Sequence, residues 1–117
     1  MAPTPPRLKR RREFLRAASK GRKASRPGLG LQALPVEPGA PLRVGFTVTK
    51  KIGNAVVRNR CKRRLREAAR LVLGAPGAPR AGWEVVLIGR DATATRDFAT
   101  LLGDLRGALR QAGVPLP

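Results

Sequence analysis

Histidine and tyrosine are both missing from the 117-residue sequence. Without imidazole, the chain lacks the side chain that most often moves protons near neutral pH. A single cysteine, Cys61, excludes an internal disulfide and puts a His/Cys zinc site out of reach. Acidic residues are scarce: the seven Asp and Glu are dispersed, and no two are spaced for a carboxylate clamp around two metal ions. Hydrolysis by this chain alone is therefore not expected, and no catalytic residue is assigned. Nor does any run approach the ~20 apolar residues of a membrane-spanning helix. The N-terminal PTPPRLKRRREF continues in charge where a secretory signal would turn apolar. A reducing cytoplasm is the expected compartment, with a basic transit peptide the alternative.

What the sequence has in excess is positive charge. Lys and Arg number 25 against 7 acids, for a formal charge of +18. The excess is uneven: residues 1–70 hold 20 basic and 3 acidic side chains, residues 71–117 hold 5 and 4. A chain so charged repels itself unless a polyanion neutralises it, and nucleic acid is the natural candidate.

Residues 1–6 are proline-rich and without apolar pattern, which predicts a disordered tail before a single domain over residues 7–117. Scattered apolar residues in a basic run predict a helix from Arg7 to Lys20, ended near Gly21. Leu29, Leu31 and Ala33 alternate weakly, and residues 35–41 make a turn. Leu42, Val44, Phe46 and Val48 alternate strictly with Arg43, Gly45, Thr47 and Thr49, the pattern of a strand with one buried face. Asn54 is placed to cap a helix running to about Leu73, and Trp83 to Ile88 reads as a buried strand. A last helix carries Phe98, Leu101, Leu102, Leu105 and Leu109 after Thr95 as N-cap, and stops at Gly113 and Pro115.

The Asn54 helix carries the functional signal. At about 100° per residue, Val57, Cys61, Leu65, Ala68 and Val72 form a core stripe. Arg58, Lys62, Arg63, Arg66 and Arg70 spread over roughly 140° of the other side. Like charges four residues apart, as in Arg58 with Lys62 and Lys62 with Arg66, repel unless something negative lies between them. Glu67 is the one acid on this helix, and it can pair with Arg63 or Arg70. Solvated helix faces normally mix both signs, so a face of one sign favours nucleic acid. Arginine predominates, which suits bidentate phosphate contacts.

RVGFTVTKKIGNAVVRNRCKRRLREAAR, residues 43–70, resembles the signature of the ribonuclease P protein family, centred on Arg58-Asn59-Arg60 with Lys62, Arg63, Arg66 and Glu67. Lys50, Lys51, Gly53, Ala55 and Val56 match the approach, and the order of elements matches over residues 7–112. The resemblance implies an α+β fold: one small domain, a four-stranded mostly antiparallel sheet with three helices in the order α-β-β-β-α-β-α. It also implies a left-handed βαβ crossover, against the usual rule.

The implied function is that of the protein subunit of ribonuclease P, an endonuclease whose catalytic RNA removes the 5′ leader of precursor tRNA using Mg²⁺ bound mainly by RNA. That hydrolysis leaves a 5′-phosphate and a 3′-hydroxyl. Carried over residue by residue, Arg58, Asn59, Arg60, Lys62, Arg63 and Arg66 match the RNA-facing motif and Lys50 and Lys51 the basic edge of the leader cleft; Arg70 joins the RNA-binding set from its place on the basic helix face, and Asn59 is a candidate to help position a metal ion. Phe14, Ala18, Phe46 and Arg90 fall to a cleft for the single-stranded leader, between the first helix and the sheet. Ala18 stands where the family has a second aromatic, and Phe46 where it has an aliphatic core residue. With so few rings, the leader would be held more by charge than by stacking.

Plainer readings stand beside these. Phe14 and Phe46 suit a core as well as a base platform, and Cys61 suits a small buried hydrophobe. A structural ribosomal protein shares the charge and size, and a DNA-coating protein is a third class.

Overall fold

The computed structural model describes residues 4–117. Its elements are α1 (Arg11–Lys20), β1 (Arg22–Arg26), β2 (Leu29–Pro35), β3 (Arg43–Thr47), α2 (Ala55–Leu73), β4 (Trp83–Gly89) and α3 (Phe98–Gln111), with short 3₁₀ turns at Lys50–Ile52 and Asp91–Ala94. The strands form one sheet in the order β1-β2-β4-β3. β1 with β2 and β2 with β4 are antiparallel, while β3 with β4 is parallel. The expected α+β domain is therefore present, with β3-α2-β4 as its βαβ unit.

Alternation along the strands divides the core in two. Leu29, Leu31, Ala33, Val44, Val85 and Leu87 face α2 and α3, whose Leu65, Ala68, Val72, Leu101, Leu105 and Leu109 complete the main cluster. On the other face Val86 packs with Leu8 and Ala17, flanked by Phe14 and Ile88. β1 gave no periodic signal because it is an edge strand with one inward side chain, Ala24.

The first helix starts four residues later than expected. Pro6 O accepts the Val44 N–H at 2.9 Å and Leu8 N–H donates to Val44 O at 3.0 Å, so residues 6–8 run along β3 and bury Leu8. Residues 1–3 of the expected tail lie outside the described residues; Pro6 is tied to the sheet. Asp97, not Thr95, caps α3, its Oδ2 accepting the Thr100 N–H at 3.1 Å.

Glu13 closes the start of α1. Its Oε1 accepts the Arg10 N–H at 2.9 Å and the Lys9 N–H at 3.1 Å, as in a capping box. The Arg10 amide, with help from Lys9 and the Arg43 guanidinium and against partial burial, lowers its pKa from 4.5 to about 2. A depressed carboxylate stabilises the fold above its unfolded pKa and loses that contribution as pH falls through the folded value. Between pH 4.5 and about 2, then, the melting temperature of the native chain should fall toward that of Glu13→Gln. A gap between the two that ignored pH would refute this role.

Candidate nucleic-acid interface

α2 is built as the sequence requires. Asn54 Oδ1 accepts the Val57 N–H at 3.0 Å, satisfying one of the free amides at the helix start. Cys61, Leu65, Ala68 and Val72 are buried as expected, joined by Ala69 and Leu73, while Val57 is only half-buried near the end. Burial pushes the Cys61 thiol up, so it behaves as a small hydrophobe.

The opposite side is cationic. Asn59, Arg60 and Arg63 are exposed, and Arg58, Lys62, Arg66 and Arg70 are half-buried at their stems. Arg70 Nε donates to Glu67 Oε2 at 3.1 Å, which draws the Glu67 pKa down and the Arg70 pKa up. Glu67 thus spends its charge on Arg70, not Arg63. Arg64, identical in type to its neighbours, does something else. Its guanidinium donates to Ala94 O at 3.2 Å and to Arg96 O, and lies 5.7 Å from the Phe98 ring centroid. It clamps α2 to the start of α3.

A second basic region follows from the topology. β3 and β4 are parallel with Thr47 opposite Ile88, so Lys50 and Lys51 after one strand and Arg90 after the other emerge at the same end of the sheet. All three are exposed. Arg90 lies across the sheet end, its Nη2 donating to Ser25 Oγ at 2.9 Å. It passes over Gly30, where a Cβ would stand 3.1 Å from that nitrogen. Lys23, Ser25, Gly30, Gln32, Ile88 and Arg90 line an open recess of about 350 Å³ on the α1 side of the sheet.

Phe14 and Ala18, both half-buried, stand on α1 above that same face. Phe14 rests on Gly45, where a Cβ would come 2.6 Å from its ring, so only glycine lets the ring lie there. Phe46 corrects the expectation. It faces the main core with Val44, on the opposite side of the sheet, and Arg7 lies 5.9 Å from its ring centroid. Alternation forces this, because adjacent strand residues cannot share a face.

Two features had no counterpart in the sequence reading. Glu84 is buried in β4, its Oε1 accepting from Arg16 Nη2 at 2.9 Å and its Oε2 from Arg43 Nη2 at 2.5 Å. Arg43 also reaches Glu13 Oε2 at 2.5 Å. This chain of charges fixes α1 above the sheet. Arg7 is the second: with Thr4 it meets Arg63, Arg66, Glu67 and Arg70 around one groove.

Among the described residues no three His, Cys, Asp or Glu side chains gather where they could share an ion. Asn59 offers one neutral oxygen on an exposed surface. The chain's own donor set therefore does not fit a resident divalent cation, which wants several oxygens. No helix of the described residues is long and apolar enough to cross a membrane.

The family model for ribonuclease P matches residues 2–113. The ribonuclease P protein component of Gluconacetobacter diazotrophicus is 60% identical over 114 residues, 97% of each chain. That of Ruegeria pomeroyi is 53% identical over 116 residues, 94% of this chain and 88% of the relative. Among solved structures, the RNase P protein of Staphylococcus aureus superposes with a TM-score of 0.76 at 25% identity, covering 92% of this chain and 95% of the other. That of Thermotoga maritima gives 0.70 at 29% identity, covering 86% and 92%. Agreement that spans nearly the whole length of both partners, in sequence as in backbone, places this chain in the ribonuclease P protein family.

Proposed function

We propose that the chain divides its RNA contacts between two surfaces. The outward side of α2, through Arg58, Asn59, Arg60, Lys62, Arg63, Arg66 and Arg70, docks on the catalytic RNA. The α1 side of the sheet holds the single-stranded 5′ leader of precursor tRNA, with Phe14 and Ala18 of α1 above it, the recess at Arg90 beside them, and Lys50 and Lys51 at the same end of the sheet. As a ribonuclease P protein, the chain is the auxiliary subunit of an RNA-based endoribonuclease, and its work is to assist removal of the tRNA 5′ leader. That membership sets aside a ribosomal role. What carries the two-surface reading is α2: one buried stripe, and an outer face of cations with a single carboxylate.

In this reading Mg²⁺ in the holoenzyme is held mainly by the RNA, in keeping with the lack of a cluster of ligating side chains among the described residues. The protein's cations neutralise phosphates and release their counterions, so less metal is needed to hold RNA strands together. Leader and catalytic RNA meet in the cytoplasm, where a buried, unpaired Cys61 stays reduced. The test is cleavage of precursor tRNA by the matching catalytic RNA at low Mg²⁺. Adding this chain should raise the rate at the mature 5′ end, and more for substrates with a leader that reaches the recess. Failure to stimulate a correctly folded RNA would reject the reading.

A further inference from the structure

The N-terminal segment takes no part in either surface just described, yet it is firmly placed. Backbone bonds from Pro6 and Leu8 to Val44 hold the chain on both sides of Arg7. The Arg7 guanidinium is further steadied over the Phe46 ring, at 5.9 Å from its centroid. Across from it stands the basic face of α2. Thr4, Arg7, Arg63, Arg66, Glu67 and Arg70 line one groove of about 460 Å³.

Charge in this groove is unbalanced. Glu67 is engaged by Arg70. Among the described residues, no ion pair joins a carboxylate to Arg7, Arg63 or Arg66. Three guanidinium groups brought to one concavity from two separate elements repel one another until an anion enters. The planar forks of arginine match the oxygens of a phosphate, and a hydroxyl such as that of Thr4 adds a neutral donor.

We propose that Arg7, Arg63 and Arg66 form a cradle for one backbone phosphate of the catalytic RNA, with Thr4 lining the same groove. The inference rests on α2 being the docking face, and it adds the N-terminal segment to that face. Arg7 arrives pre-placed by β3 and by Phe46, so little side-chain freedom is lost when the phosphate binds. The bound phosphate in turn links the N-terminal segment to α2.

Assembly of the full chain with its catalytic RNA, measured as Kd over a salt series, tests the cradle. Arg7→Gln should weaken assembly roughly five- to twentyfold with little change in the log-log salt slope, because Arg63 and Arg66 still neutralise the shared phosphate. Adding Arg63→Gln and Arg66→Gln should weaken binding further and flatten the slope by about 0.7 in all, since a shared phosphate is counted once. Flattening of about 0.7 from Arg7→Gln alone, or about 2 in the triple variant, would mean separate phosphates and would overturn the cradle. Arg7→Lys keeps the charge and the ring contact without the fork, and should keep the slope but not the full affinity. It also serves if the Gln variant folds poorly. An unchanged Kd for Arg7→Gln, with Arg58→Gln still damaging, would overturn the cradle and leave the docking face standing. If neither mattered, the docking reading itself would fall. Loss confined to precursor tRNA binding, with assembly intact, would give the groove to substrate and also overturn the proposal.

Discussion

Replacing Arg58, Lys62 and Arg66 together with glutamine is expected to weaken association with the catalytic RNA by about 10²- to 10³-fold and leave the fold standing. Lys62 and Arg66 lie on the side of α2 away from Cys61 and Ala68, Arg58 flanks the buried stripe with its Nε covered, and no described ion pair uses any of the three. Each charge-assisted contact to phosphate contributes on the order of 1.5–3 kcal/mol when fully made. Partial solvation reduces the total to the range given. Losing the Arg58 and Lys62 phosphates should also flatten the log-log salt dependence by about 1.4, out of a total of roughly −4 to −7, since Arg7 and Arg63 still neutralise the phosphate they share with Arg66. The adjacent Arg64 is the control. Arg64→Gln removes donors to the Ala94 and Arg96 carbonyls, so it should lower the melting temperature more than it alters RNA contacts. Filter binding and thermal melting of the same preparations decide the matter. If the triple variant unfolds while Arg64→Gln does not, the helix face has been assigned backwards.

The second large effect is expected at Glu84. This carboxylate is 4% exposed, and it accepts from Arg16 of α1 and Arg43 of β3 at once. Removing one member of a buried charge pair costs about 3–5 kcal/mol, because the remaining charge is stranded. Here the arginine side chains keep 50% and 32% of their surface in water, which reduces the cost. Glu84→Ala should therefore destabilise by about 2–3 kcal/mol, a fall in melting temperature of roughly 8–15 °C for a domain of this size. Leader binding should suffer beyond this at temperatures where the variant is still folded. Arg16 no longer ties α1 to β4, and α1 carries Phe14 and Ala18. Docking on the catalytic RNA, which the proposal assigns to α2, should hold. A variant as stable as the native chain would show that the cluster does not fix α1.

Sequence alone disclosed α2 most fully, because a capped helix with one apolar stripe is a local pattern: Asn54, Cys61, Leu65 and Val72 declare it without help from distant residues. β1 was opaque, since Arg22–Arg26 buries only Ala24 and owes its strand geometry to pairing with β2. Leu8 fits a helical pattern as well as a strand, and the Val44 amide and carbonyl decide between them. Phe46 was legible in principle. Its alternation with Gly45 separates it from Phe14 and puts it on the face of Leu42 and Val44, in keeping with the plainer reading of Phe46 as a core residue. Arg64 illustrates a harder limit, because seven basic residues of one helix look alike until the carbonyls of a neighbouring segment pick one out. Glu84 is harder still. Its partners lie 68 and 41 residues away in sequence, and no periodicity links them.

The strand order has a consequence for how the molecule is made. β4, the last strand to be synthesised, lies between β2 and β3, so two strands leave the ribosome before the one that joins them exists. Of the four strands only β1 and β2 can pair early; β3, which until then has only residues 6–8 beside it, waits for residues 83–89 to join the sheet. During that wait nearly all of the chain's surplus positive charge is already outside the exit tunnel, without its sheet, beside a particle made largely of RNA. The nascent protein therefore folds in competition with non-specific adhesion, and prompt release of its C-terminal third decides which process wins.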